Sequence, residues 1–184
     1  SMLPLMPKFL IKLISNRYIA GEDDVSALDT IKKINDKNMS ATLDILGEHT
    51  QNIQEANRVT EIYISLYKQI GKNILDCNIS IKPTHVGSDI SHDIYRNNLS
   101  KIHNEAINQN NFLRLDMEDS SMTNITIETF KDEYKIEKNI GIVIQAYLHR
   151  SLNDILNLDP NMNIRLCKGI YNENEKIAIK NAKK

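Results

Sequence analysis

Six side chains in this sequence combine types and positions suited to chemistry at the ends of β-strands: Lys82, Asp116, Gln145, Arg165, Lys168 and Tyr171. Two are cations able to meet a carboxylate or a phosphate (Lys82, Arg165), and Lys168 is a third. Asp116 supplies an acid and Gln145 an amide. The densest stretch is Asn163–Tyr171. There, a short apolar strand from Ile164 to Cys167 delivers Arg165, Lys168 and Tyr171 to its C-terminal end. Gly169 breaks that strand and lets another group come close to the backbone. The same segment also reads as a barrel strand closed by a solvated Lys-Gly turn.

These residues are open to several chemistries. Lys82 or Lys168 can act as a Schiff-base nucleophile if burial lowers its pKa, as in barrel aldolases and lyases. Asp116, Glu118 and Asp119 can hold Mg2+ at a strand end or form a solvated acidic turn. The five histidines are scattered with no HxxxH spacing, so no metal site is expected. No Ser–His–Asp order is readable.

The elements that carry these residues alternate. Strands are expected over Ala41–Gly47, Asn78–Pro83, Phe112–Met117, Gly141–Tyr147 and Ile164–Cys167. The fourth is near-continuously apolar, as for a strand covered on both faces. Helices are expected over Ser26–Lys37, capped by Asp23, Asp24 or Ser26, then about Asn52–Ile70 and Ile90–Asn108. Further helices follow at Asn124–Glu137, capped by Thr123 or Asn124, and at Leu152–Leu158, ended by Asp159-Pro160. A last helix is expected from Glu173 to the end of the chain. Serial strand–helix units imply a parallel sheet, either doubly wound or a (β/α)8 barrel. No GxGxxG follows the first strand, and the candidate residues gather at strand C-termini, where a barrel puts its chemistry. The barrel is therefore the expected architecture.

The chain has 184 residues, a formal net charge of -1 and two cysteines. That suffices for one core. Residues 1–38 read as an N-terminal helical segment and 39–184 as the barrel portion. The charge balance offers no surface for nucleic acid. Cys77 and Cys167 form no pair; Cys167, inside an apolar strand, is expected to be a buried reduced thiol, consistent with a reducing, cytoplasmic setting. No apolar run approaches a membrane span. An apolar and basic stretch over residues 2–20, with Pro7 in the first turn, reads as a helix packed on the fold or lying on a membrane surface. Ser1 ahead of Met2 reads as a residue added for expression.

Five separated segments, in order, resemble the proline dehydrogenase family: Leu43-Asp-Ile-Leu-Gly-Glu48, Ile81-Lys82, Leu113-Arg-Leu-Asp-Met-Glu-Asp-Ser120, Gln145-Ala-Tyr147 with Arg150, and Arg165-Leu-Cys-Lys-Gly-Ile-Tyr171. The upstream Tyr18-Ile-Ala-Gly-Glu22 is similar to that family's lead-in. The resemblance implies an FAD enzyme on a distorted (β/α)8 barrel. It would oxidise L-proline to 1-pyrroline-5-carboxylate by hydride transfer to flavin N5 and pass electrons to a quinone, which suggests a position peripheral to the inner membrane. A pyrroline-5-carboxylate dehydrogenase is the implied partner. In that family's pattern Lys82 holds the substrate carboxylate and Asp116 supports the pocket between flavin and substrate. Gln145 bonds the isoalloxazine, Arg165 sits by N5, Lys168 lies near the cofactor phosphates and Tyr171 lines the proline pocket.

Two departures from the pattern matter. Ile170 stands where the family has a small residue, which would narrow the pocket or shift substrate preference. Only five strands are present, whereas a complete barrel needs about 200 residues or more. The resemblance thus implies a fragment that lacks the family's C-terminal substrate-binding residues. The isolated chain is expected to be inactive, to bind FAD weakly or not at all, and to associate through its open barrel edges.

Overall fold

The computed structural model describes residues 19–21 and 23–180. The helix expected from Pro7 lies outside them. The elements are α1 (Asp24–Asn35), β1 (Ala41–Leu43), α2 (Ile53–Lys72), β2 (Cys77–Ile81), a 3-10 turn (Pro83–Val86), α3 (His92–Asn108), β3 (Leu113–Leu115), α4 (Thr123–Ile136), β4 (Ile140–Gln145), α5 (Ser151–Leu156) and β5 (Asn163–Cys167). Helix starts follow side-chain chemistry. Asp23 accepts from the Ser26 N–H at 2.8 Å, and Asn52 accepts from the Glu55 N–H at 2.9 Å. α4 departs from expectation: it follows Met122 with no side-chain cap, and the Thr123 hydroxyl is buried without a partner.

All five strands pair in parallel, in the order β1-β2-β3-β4-β5. A doubly wound sheet reverses its strand order part-way; an unbroken sequential order belongs to a barrel. The five units form a curled half-barrel. Strand alternation then separates two faces. Ile79, Ile81, Leu113, Leu115, Ile140 and Ile142 point outward into one core with Tyr63 and Tyr67 of α2, Leu99 and Ile102 of α3 and Phe130 of α4. Ile31 brings α1 into the same core. The other face carries Asn78, Ser80 and Lys82 along β2, Arg114 and Asp116 along β3, Gln145 on β4 and Arg165 on β5. The outer face is thus apolar and helix-covered, and the inner face is polar and charged.

Three expectations are corrected. The last helix does not form within the described residues: 171–180 are turns, with one antiparallel bridge between Leu148 and Ala178. Asn side chains hold this segment out of a helix. Asn174 accepts from the Lys176 N–H at 2.9 Å and Asn172 from the Lys180 ammonium at 2.9 Å, a local competition that asparagine favours. Cys167 is half-buried, because β5 is an edge strand whose Leu166 is 61% exposed; the buried thiol is Cys77, which burial pushes up to about 12. The first ladder ends at Leu43, short of Gly47.

Candidate active site

The strand ends bring two ion pairs onto the inner face. The first joins β1 to β2. Lys82 immediately follows β2, and Pro83 starts the 3-10 turn behind it. Its ammonium donates to Asp44 Oδ2 at 2.7 Å. Burial pulls Lys82 down, but the Asp44 bond and the charges of Asp44, Asp116 and Glu48 outweigh it, so its pKa lies above that of a free lysine. Burial pushes Asp44 up against the pull of Lys82. Asp44 Oδ1 is buried without a partner, and the buried Tyr63 hydroxyl near it also lacks one.

The second pair spans β3 and β5. Asp116 follows β3, its N–H donating to the Ile81 carbonyl at 2.9 Å. Its Oδ1 accepts from Arg165 Nη2 and from the Ser80 hydroxyl at 2.7 Å. Lys82 feels the Asp116 charge, so the two pairs form one electrostatic cluster.

Gln145 ends β4 at 2% exposure. Its Nε2 donates to the Glu118 carbonyl at 2.6 Å and its Oε1 accepts weakly from the Ile170 N–H at 3.4 Å, so it ties the loops after β3 and β5 together. Glu118 is buried and pushed up by that burial, although Thr84 donates to it from both its N–H and its hydroxyl. Glu173 accepts from the N–H and hydroxyl of Ser120, at 2.7 and 2.8 Å, a second tie between the same loops.

Lys168 is exposed. Gly169 has φ +102° and lies against the Tyr147 ring, which would collide with a Cβ there. The group that comes close to this glycine is therefore an aromatic side chain of the same fold. Tyr147 donates from its hydroxyl to the Tyr171 carbonyl at 2.9 Å. The half-buried Tyr171 phenol is held well above its ordinary range by burial, then by the negative charges of Glu48, Glu118, Asp119 and Asp116. Ile170 is 88% exposed and packs on none of the described elements.

Of the six residues singled out by sequence, Lys82, Asp116 and Arg165 share one cluster, Gln145 ties together the loops after β3 and β5, and Lys168 and Tyr171 stand on the loop after β5. Asp44, Ser80 and Tyr147 belong to the same arrangement and sequence reasoning did not single them out. Alternation offered the signal for Ser80, two residues before Lys82 on the same face; Asp44 follows an apolar run as Asp116 does. Among the described residues no group of three His, Cys, Asp or Glu could hold a metal ion. The Schiff-base alternative fails at Lys82, which is ion-paired with a raised pKa, and at Lys168, which is exposed; that role needs a lysine made nucleophilic by a lowered pKa.

The sequence profile described as "Proline dehydrogenase" matches residues 27–183. The chain is 35% identical over 169 residues to "Proline dehydrogenase 2" of Bacillus subtilis subsp. natto, covering 91% of this chain and 56% of that protein. It is 30% identical over 172 residues to "Proline dehydrogenase" of Deinococcus radiodurans, covering 90% and 55%. The crystal structure of proline utilization A from Bdellovibrio bacteriovorus, inactivated by N-propargylglycine, superposes with a TM-score of 0.79 at 28% identity, over 88% of this chain and 21% of that one. The chain spans little more than half the length of the curated relatives it matches. From its sequence and its half-barrel, this chain belongs to the proline dehydrogenase family.

Proposed function

We propose that this chain forms the flavin- and proline-facing part of an FAD-dependent proline dehydrogenase, oxidising L-proline to 1-pyrroline-5-carboxylate. The observation that carries the reading is the cluster Asp44–Lys82 and Asp116–Arg165 on the inner face, just after β1, β2 and β3 and within β5. Its donor set fits a flavin. Arg165 spends only Nη2 on Asp116 and Ser80, which leaves its other nitrogens to face acceptor atoms. The Gln145 amide uses one of its two hydrogens on Glu118. Lys168 adds an exposed cation suited to phosphate oxygens.

FAD, when bound, supplies the hydride acceptor for oxidation of the amine. The chain's own residues do the rest. Arg165, anchored by Asp116, holds a fixed positive charge where negative charge develops on the reduced ring. Lys82 stays cationic and presents its ammonium to the proline carboxylate, with Asp44 fixing its direction. Tyr171, its phenol kept protonated by burial and nearby carboxylates, forms a neutral wall of the pocket. Electrons leaving to a quinone, a cytoplasmic position at the membrane edge, and a dehydrogenase that consumes the product complete the reading. Among the described residues no helix is long and apolar enough to cross a membrane.

The test completes the chain with the C-terminal portion of the Bacillus subtilis relative and records visible absorbance anaerobically with and without L-proline. A flavin band that proline bleaches supports the reading; a colourless protein, or a band that proline leaves unchanged, refutes it. Borohydride with a carbonyl substrate is expected to leave Lys82 and Lys168 unmodified.

A further inference from the structure

We infer that Ser80 is a positioning residue: its hydroxyl fixes the direction in which the Asp116–Arg165 pair presents the guanidinium across the inner face. The part of this that concerns a flavin rests on the reading above; the part that concerns Arg165 does not. Ser80 lies on β2 at 2% exposure, two residues before Lys82 and on the same face. Its hydroxyl donates to Asp116 Oδ1 at 2.7 Å and accepts from Arg165 Nη2 at 3.3 Å. Asp116 follows β3 and Arg165 lies on β5, so the Ser80–Arg165 contact crosses β3 and β4. Ser80, Asp116 and Arg165 close a three-membered ring of hydrogen bonds.

The need for such a residue follows from where Arg165 sits. It projects from an edge strand with a side chain 44% exposed, and its hydrogen bonds among the described residues are those to Asp116 and Ser80. A long guanidinium tethered through one nitrogen to one carboxylate oxygen keeps freedom to swivel about that contact. A third member on a different strand removes that freedom, because a hydroxyl both donates and accepts. Ser80 makes no hydrogen bond to Lys82 or Asp44, so its effect runs through Asp116 and Arg165.

The experiment uses 15N-arginine-labelled chain and the variants Ser80→Ala, Ser80→Thr and Asp116→Asn. Guanidinium Nε and Nη resonances and melting temperature are recorded without cofactor, followed by titration with FAD read by flavin fluorescence. In the native chain the Arg165 Nη resonances are expected to be separate, from slowed rotation about Nε–Cζ. Ser80→Ala should merge them as Asp116→Asn does, with the fold retained, and Ser80→Thr should keep them apart. Where FAD binds, Ser80→Ala should bind roughly tenfold more weakly, the loss of one well-aligned hydrogen bond, with Ser80→Thr close to native. Arg165 resonances in Ser80→Ala that match the native chain overturn the proposal. Absence of FAD uptake by the chain completed with the C-terminal portion of the Bacillus subtilis relative, beside loss of Arg165 order in Ser80→Ala, sinks the flavin reading and leaves the positioning role standing.

Discussion

Replacing Glu133 by glutamine tests what holds the floor of the half-barrel. His103 of α3 is fully buried, and its Nδ1 lies 2.7 Å from Glu133 Oε2 of α4, itself almost fully buried. Its Nε2 lies 2.8 Å from Asn139 Oδ1, and the Asn139 amide donates onward to the Asn111 carbonyl. Asn111 in turn donates to the Cys77 carbonyl at 3.0 Å. One chain of polar contacts thus runs from two outer helices to the starts of β4, β3 and β2. The onward bond of Asn139 fixes its oxygen toward the ring, so the imidazole faces an oxygen on each side. The Glu133→Gln substitution would put an amide in place of the carboxylate beside one ring nitrogen. A buried hydrogen bond to a carboxylate is worth about 1.5–3 kcal/mol. For a domain of this size each kcal/mol is worth about 2–4 °C, so Glu133→Gln should melt about 3–12 °C lower in circular dichroism at neutral pH. His103→Gln and the double variant complete the cycle. The double variant should cost little more than either single change, giving a coupling of about 2 kcal/mol. Additive losses, or a fall below about 2 °C, would refute the argument that this pair ties the helices to the strand starts.

Three further outcomes are expected. Gly169→Ala would force a Cβ into the Tyr147 ring at φ +102°, and should cost about 1–3 kcal/mol, read as a lower melting temperature and faster proteolysis within 171–180. His85, packed against Gly47 with Nδ1 unpartnered, is held below its ordinary 6.5 by burial and by Lys82. A depressed pKa contributes stability that is present above the unfolded value and lost as pH falls through the folded one, so melting temperature should drop from about pH 7 to about pH 5, and less so in His85→Phe. His49 has the opposite sign through its Asp89 partner, but it is largely exposed and contributes little. Association through the open β5 edge should appear as a concentration-dependent mass in light scattering, and Leu166→Lys, which puts a charge on that exposed edge, should lower it.

Much of the architecture was legible because it rests on local pattern. The Asn-Ile-Ser-Ile-Lys alternation of β2 and the Leu-Arg-Leu-Asp of β3 each assign alternate residues to opposite faces, and the structure keeps both assignments. The start of α1 was legible to within Asp23, Asp24 or Ser26 and that of α2 to about Asn52, since a cap is a bond between residues three apart. What was not legible depends on curvature. Arg165 meets Ser80 across 85 positions of sequence, over the two intervening strands β3 and β4. No periodicity within β5 or β2 identifies that partner, because flattening the sheet would separate the two side chains without changing either strand's pattern. Gly169 shows the same limit from the other side. Its type announces a close approach, but whether the visitor is a ligand or Tyr147 is decided by how far the loop after β4 folds back over the strand end. The stretch after Tyr171 misled for a further reason. Its composition suits a helix, yet Glu173 is spent on Ser120 of the loop after β3 and Ala178 on a bridge to Leu148. Helix propensities amount to a few tenths of a kcal/mol per residue. A buried alanine and two carboxylate hydrogen bonds outweigh them over so short a segment, and those contacts exist only once the half-barrel has brought its loops together.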